Sequence, residues 1–366
     1  MAENFQLDRE LFSQRRNRLI QQLAGSSMLV SNLVNVRYLT GFTGSNAFLV
    51  INDAVTLLLT DGRYVEQVAA ECPDLQTAIR PVDSTMLALV SDALRKNGIK
   101  KCLIEADSMS RALWRDLVDA AESETEFEDS SGVVEQLRAV KDSHELELIR
   151  RSIAINEESL KATLASYSST WTELEFSWRL ESEIRQRGGD GFSFDAIVAA
   201  GPSSALPHYH PTRALIADHA LLLVDWGTSF RGYASDLSRV IAMGEVPEEI
   251  RTIHKIVADA KQAAMDTVRD GVELGVVDSA ARNLIADAGY GDFYNHGLGH
   301  GFGLEIHETP FMSPAFKGQL KTGMVITIEP GIYLPQVGGV RLEDDILVTS
   351  DGYERLNSLG DDFLTL

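Results

Sequence analysis

The sequence predicts an α/β (α+β) chain in two domains, a small α/β domain over 1–135 and a larger one over 136–366 with internal pseudo-two-fold symmetry. Three observations predict this. At 366 residues the chain is too long for one ordinary core. Its first half alternates short apolar runs with helical patterns. Its second half repeats one design, helices followed by an apolar hairpin that carries two acids.

In the first half, "SSMLVS" (26–31), "AFLVI" (47–51) and "VTLLLT" (55–60) are short, apolar and bounded by turn residues, as strands are. "STMLALVSDALRKNG" (84–98) has helical spacing and a stop at Gly98. "ESETEFEDSSG" (122–132) is acidic and poor in apolar residues, and the boundary follows it near Glu135–Asp142. A helix should start at Ser143: Asp142 caps it, Glu145 completes a capping box, and Leu146, Ile149, Ile153, Leu160 and Leu164 share a face. A second begins at Thr172, with Glu175 three residues on, and two more cover 248–269 and 278–288. "HALLLVDWGTSFRGYASDLSRVIAMG" (219–244) reads as a strand, a turn around Gly227–Gly232 and a return strand, and "GMVITIEPGIYLPQVGGVRLEDDILVT" (323–349) has the same shape. Trp171 and Trp178 read as core, His144 and His254 as surface or packing residues, and His210 and His219 as structural in preference to lining the rim of the site.

Composition narrows the function. With 44% hydrophobic and 24% charged residues, the chain has the make-up of a soluble globular protein. No apolar run is long enough to cross a bilayer, and the charged, amphipathic opening "MAENFQLDRELFSQRRNRLI" lacks the apolar core of a secretion signal. Cys72 and Cys102 form no paired motif and read as free thiols, so a cytoplasmic location is expected. A net charge of −21 argues against nucleic acid and anionic membranes as partners, and suits cationic substrates such as free amino termini.

The chemistry lies in the two hairpins. Asp225 and Glu329 each end an apolar strand, where an isolated carboxylate is costly to bury. Asp236 and Glu343 follow on the return strands, where salt bridges to Arg239 and Arg341 would be the ordinary explanation. One arrangement accounts for all four: a cage for two divalent cations, completed by a neutral His300. A donor set rich in carboxylate, poor in nitrogen and free of thiolate favours Mn²⁺ first, with Co²⁺ or Zn²⁺ as alternatives. His300 sits in "HGLGHGFGLEIHE" (296–308), one of only eight histidines in the chain. That segment has no HExxH, since position 311 is phenylalanine, and its glycines do not make GxGxxG. They instead permit close backbone approach around His300, with His296 and His307 flanking the site as proton donors or acceptors.

"LLVDWGTSFRGYASDLSR", "HGLGHGFGLEIHE", "ITIEPGIY" and "GGVRLEDD", in that order, resemble the M24 metallopeptidases of pita-bread fold, of the Xaa-Pro aminopeptidase and Xaa-Pro dipeptidase (prolidase) type. "NVRYLTGFTGSNAFLVI" (35–51) and "LTDGRYVEQVAAE" (59–71) resemble their creatinase-like N-terminal domain. The resemblance implies Asp225, Asp236, His300, Glu329 and Glu343 as ligands of two metal ions, with Asp236 and Glu343 bridging. It implies catalytic roles for Glu329, His208 and His307, and substrate-binding or supporting roles for His208, His296, His307 and Arg341. The implied reaction is hydrolysis of Xaa-Pro bonds in small peptides with proline second, by an aminopeptidase in preference to a dipeptidase, and the implied assembly is a homodimer. Two rivals are a same-fold hydrolase of a non-peptide amide and a non-enzymatic binding protein.

Overall fold

The computed structural model describes residues 9–365, so the first eight residues of the charged opening segment lie outside it. The chain forms two compact units that divide between Arg138 and Ala139. Among the described residues no helix is long and apolar enough to cross a membrane.

The first unit is built on a six-stranded mixed sheet in the order Gln76–Arg80, Thr56–Asp61, Ala47–Ile51, Met28–Val30, Lys101–Glu105, Glu126–Ser130. The three apolar runs expected as strands form its middle, where Leu29, Val50 and Leu59 pack against Val90 and Leu94 of the helix Met86–Lys96. Thr85 caps that helix, and Gly98, at φ +67°, follows its end. Two of the elements that pattern does not mark stand out. Glu126–Ser130, inside the acidic stretch, is an edge strand whose Glu126 and Glu128 lie 3.3 and 3.1 Å from Lys101. An edge needs no apolar face, and its charges discourage further pairing. Leu33–Thr40 is a helix despite its β-branched residues, because burial of Val36, Tyr38 and Leu39 overrides propensity between the Asn32 cap and Gly41. In "TDGRY", buried Asp61 accepts from Arg63 Nε and Nη2 and from Asn46 Nδ2, which makes the motif a self-bracing turn.

The second unit shows the expected doubling. The helices Ser143–Ala165 and Glu173–Gln186 begin at full capping boxes on Asp142 and Thr172. Ile155, Phe176 and Leu180 from this pair pack against Leu222 and Val224 of a four-stranded sheet. The second pair, Glu248–Met265 and Leu274–Asp287, packs Ile253, Val257, Val277 and Ala281 against Ile326 and Ile346 of a five-stranded sheet. Each hairpin is more elaborate than a strand, turn and return. Leu221–Trp226 and Leu237–Ala242 pair in one sheet, while between them Thr228–Phe230 and Tyr233–Ala234 form an inner hairpin closing at Arg231 and Gly232. Val325–Ile328 and Asp344–Val348 likewise enclose Gly331–Leu334 and Gly338–Arg341. The four acids sit where the chain leaves one layer for the other. Trp171 is core, but Trp178 is 58% exposed, because it faces outward from its helix.

A buried ion network ties the second hairpin to the C-terminal segment. Asp344, fully buried, accepts from Arg239 Nη2 (2.8 Å), Arg355 Nη2 (2.8 Å), Asn357 Nδ2 (2.9 Å) and Lys261 Nζ (2.5 Å). Burial would raise its carboxyl, but Lys261, Arg239 and Arg355 outweigh burial and hold it at about 2. Asp344→Ala should therefore cost about 3–5 kcal/mol in guanidinium unfolding, because it leaves buried cations uncompensated. The depressed carboxyl contributes stability above its ordinary 3.8 and loses it as pH falls toward about 2. The unfolding free energy of the native chain should thus fall across that window more steeply than that of Asp344→Asn.

Candidate metal centre

Asp225 lies on a central strand, opposite Ser238 on one side and Ile197 on the other. Asp236 stands just before the return strand and Glu343 just before its counterpart. Ligand atoms of Asp225, Asp236 and Glu343 come within 4.8 Å of one another, and all three residues are buried. His300 joins them from Gly299–Gly301, a strand inside the five-stranded sheet. Its Nε2 lies 3.7 Å from Asp236 Oδ2 and 3.4 Å from Glu329 Oε1. His300 Nδ1 is 3.1 Å from the Gly301 carbonyl, which can only accept, so the ring proton sits on Nδ1 and the Nε2 lone pair faces the acids. The flanking glycines make this strand possible: a Cβ at Gly299 would lie 2.2 Å from the Thr327 carbonyl, and one at Gly301 2.5 Å from that of Thr309.

The electrostatics of this cluster call for cations. Burial, then repulsion from Glu343, Asp225 and Glu329, pushes Asp236 well above the carboxylate range. Burial, then Glu329 and Asp225, does the same to Glu343. Burial raises Glu329 to about 8 against the opposing pull of Arg341. Burial holds His300 down at about 4, so its imidazole is neutral at pH 7. Asp225 Oδ1 and Glu343 Oε1 are buried with no hydrogen-bond partner. Bare carboxylate oxygens beside a free imidazole lone pair fit a hard or borderline divalent ion, which would both satisfy and ionise them.

A chain of hydrogen bonds backs the acids. Arg341, buried, donates from Nη2 to Asp225 Oδ2 (2.5 Å), from Nη1 to Tyr333 Oη (2.8 Å) and from Nε to Ser238 Oγ (2.9 Å). The ordinary salt bridges considered for the acids are not the ones that form: Arg341 pairs with Asp225, and Arg239 with Asp344. His296 Nδ1 lies 2.7 Å from the Gly297 carbonyl and carries the ring proton, so Nε2 accepts from Tyr333 Oη at 2.9 Å. Desolvation and then Arg341 hold His296 down at about 4.

All of the expected site residues line one cavity of about 490 Å³: His208, Asp225, Asp236, His296, His300, His307, Glu329, Arg341 and Glu343. The His307 and His300 ring centroids are 4.4 Å apart. His210, expected to be structural, also lines the cavity, because it extends from the same exposed loop as His208. The opposite character comes from Phe194, Ile197, Phe311 and Phe316, which give the cavity an apolar wall. Sequence reasoning missed Tyr333 and Ser238. Gly331 opposes Arg341 in the inner hairpin and makes room for the tyrosine, since a Cβ there would meet Tyr333 Oη at 2.5 Å.

Comparison with known proteins identifies the family. Residues 14–140 match the creatinase/prolidase N-terminal domain, and residues 147–350 match metallopeptidase family M24. An uncharacterized peptidase of Bacillus subtilis, YqhT, is 35% identical over 91% of this chain and 94% of its own. A Xaa-Pro dipeptidase of Pyrococcus horikoshii is 33% identical over 90% of this chain and 92% of its own. Among solved structures, the X-Pro aminopeptidase of Thermotoga maritima has a TM-score of 0.88 at 32% identity, covering 96% of this chain and 100% of that one. The Xaa-Pro dipeptidase of Bacillus anthracis has a TM-score of 0.92 at 31% identity, covering 97% and 100%. The doubled unit behind its creatinase-type domain is the pita-bread fold of the prolidases, and the chain belongs to metallopeptidase family M24.

Proposed function

We propose that this metallopeptidase is a Xaa-Pro aminopeptidase, using two divalent ions, Mn²⁺ by preference, in a catalytic domain over 136–366 that follows a creatinase-like domain over 1–135. The observation that carries the reading is the donor set: four clustered carboxylates, two of them with bare buried oxygens, around one neutral imidazole. Asp225, Asp236, His300, Glu329 and Glu343 would hold the ions, with Asp236 and Glu343 shared. Bound there, the ions supply Lewis acidity that acidifies water and polarises a carbonyl.

The remaining steps fall to the chain's own groups. Glu329, with 17% of its side chain open to the cavity, takes the proton from the attacking water. As the C–N bond breaks, the hydroxyl goes to the carbonyl carbon and a proton to the proline nitrogen. His208 and His307, both exposed on the cavity wall, steady the oxyanion and deliver that proton. Arg341 and His296 act as supports, since their polar atoms are spent on Asp225, Tyr333, Ser238 and Gly297. The Xaa-Pro bond is a tertiary amide without an N–H, and the apolar wall of Phe194, Ile197, Phe311 and Phe316 suits the proline ring.

The commitment of Arg341 also favours the aminopeptidase over the dipeptidase. Arg341 is the one guanidinium on the cavity wall among the described residues, and it is engaged with Asp225. A peptide that continues past proline needs no cation to hold a product-side carboxylate. Small proline-second peptides as substrates, a cytoplasmic location and a homodimer complete the proposal.

Two measurements test it. Mn²⁺-loaded protein should cleave a Xaa-Pro-Xaa tripeptide at least about tenfold faster than the Xaa-Pro dipeptide, by kcat/KM. The reverse order would favour the prolidase alternative, and cleavage of neither would end the peptidase reading. Asp236→Ala should retain less metal after dialysis, measured by elemental analysis, and lose about 10³-fold or more in kcat. An active, metal-retaining variant would contradict the shared role of Asp236.

A further inference from the structure

We propose that Ser238 and Arg239 are the positioning residues of Glu343 and set the spacing between the two acid-bearing hairpins. The inference rests on the reading of the carboxylate cluster as a metal centre. The two residues are adjacent on the strand Leu237–Ala242, so their side chains leave it on opposite faces, and both are completely buried.

Ser238 acts on the carboxylate. Its Oγ lies 2.9 Å from Arg341 Nε, which can only donate, so the hydroxyl accepts there and spends its one proton on Glu343 Oε2, 2.8 Å away. That bond fixes the rotation of the Glu343 carboxylate, with Oε1 left bare. A single hydroxyl therefore orients the acid within the cluster.

Arg239 acts on the main chain. All five of its N–H donors are matched: Nε to the Gly360 carbonyl (2.8 Å), Nη1 to the carbonyls of Ser238 (2.9 Å) and Glu343 (2.5 Å), and Nη2 to Asp344 Oδ1 (2.8 Å) and the Leu359 carbonyl (2.6 Å). The two carbonyls on Nη1 belong to different hairpins, and the Glu343 N–H returns a bond to the Ser238 carbonyl at 3.2 Å. The rigid guanidinium fork therefore holds the backbones of the two acid pairs at one separation. Its other edge is held by Leu359 and Gly360, which makes the C-terminal segment part of the support. Lysine cannot substitute, because three donors on one nitrogen cannot span five acceptors spread around a plane.

The test is a Mn²⁺ titration of metal-stripped full-length protein, with the free ion followed by its EPR signal, together with melting temperatures before and after Mn²⁺ saturation. Ser238→Ala should bind Mn²⁺ about 10–100-fold more weakly and show a smaller Mn²⁺-induced rise in melting temperature. Arg239→Lys should weaken Mn²⁺ binding in the same way and also melt earlier when metal-free. Ser238→Ala decides the matter if Arg239→Lys does not fold. Wild-type Mn²⁺ affinity in Ser238→Ala, or in an Arg239→Lys protein that merely melts earlier, would show a purely structural role and overturn the inference. If the native chain itself takes up no Mn²⁺, the metal centre falls, and this inference with it.

Discussion

Four carboxylates buried around one imidazole repel each other and lose their hydration, and the second unit is organised around that unfavourable encounter. Asp236 and Glu343 are driven far above the carboxylate range, and Glu329 rises to about 8. A fold that needed only a core would place leucines there. This one instead puts Asp225 near the end of a central strand and Asp236, Glu329 and Glu343 just outside strand ends, so that four separate stretches converge. Charge complementarity is supplied from one side by Arg341, bonded to Asp225, and is left incomplete on the other. In the function proposed above, divalent ions would complete it.

The supports show how much geometry that requires. The glycines around His300 let a strand lie against the Thr327 and Thr309 carbonyls, which brings the imidazole to the acids. Tyr333 connects His296 to Arg341, and so to Asp225, through bonds whose directions follow from the donors available. Behind them, the Asp344 network and the C-terminal segment resist collapse of the hairpins onto each other.

Much of this was legible in the sequence, and the reason is locality. The capping boxes at Asp142 and Thr172 depend on residues three apart, and both helices start where those residues say. The apolar strands ending in Asp225 and Glu329 announce themselves because a carboxylate after such a run is anomalous. The metal-ligand candidates and their neighbours line one cavity for the same reason: each carries a local oddity. What stayed hidden is nonlocal. Ser238 is an ordinary strand residue until Glu343, far along the chain, meets its hydroxyl. Glu126–Ser130 has no strand pattern because an edge buries little, and Trp178 looked like core only because tryptophan usually is. His210 borders the cavity from an exposed loop, where the sequence leaves rim and structural roles both open.

The central claim is that the buried acids form a cage for two divalent ions. Anomalous diffraction from crystals grown with Mn²⁺ tests it most directly, since the ion's own scattering locates it independently of the surrounding atoms. Two anomalous peaks about 3.5–4 Å apart are expected, enclosed by Asp225, Asp236, His300, Glu329 and Glu343. Peaks elsewhere on the surface, with none among these five residues, would contradict it.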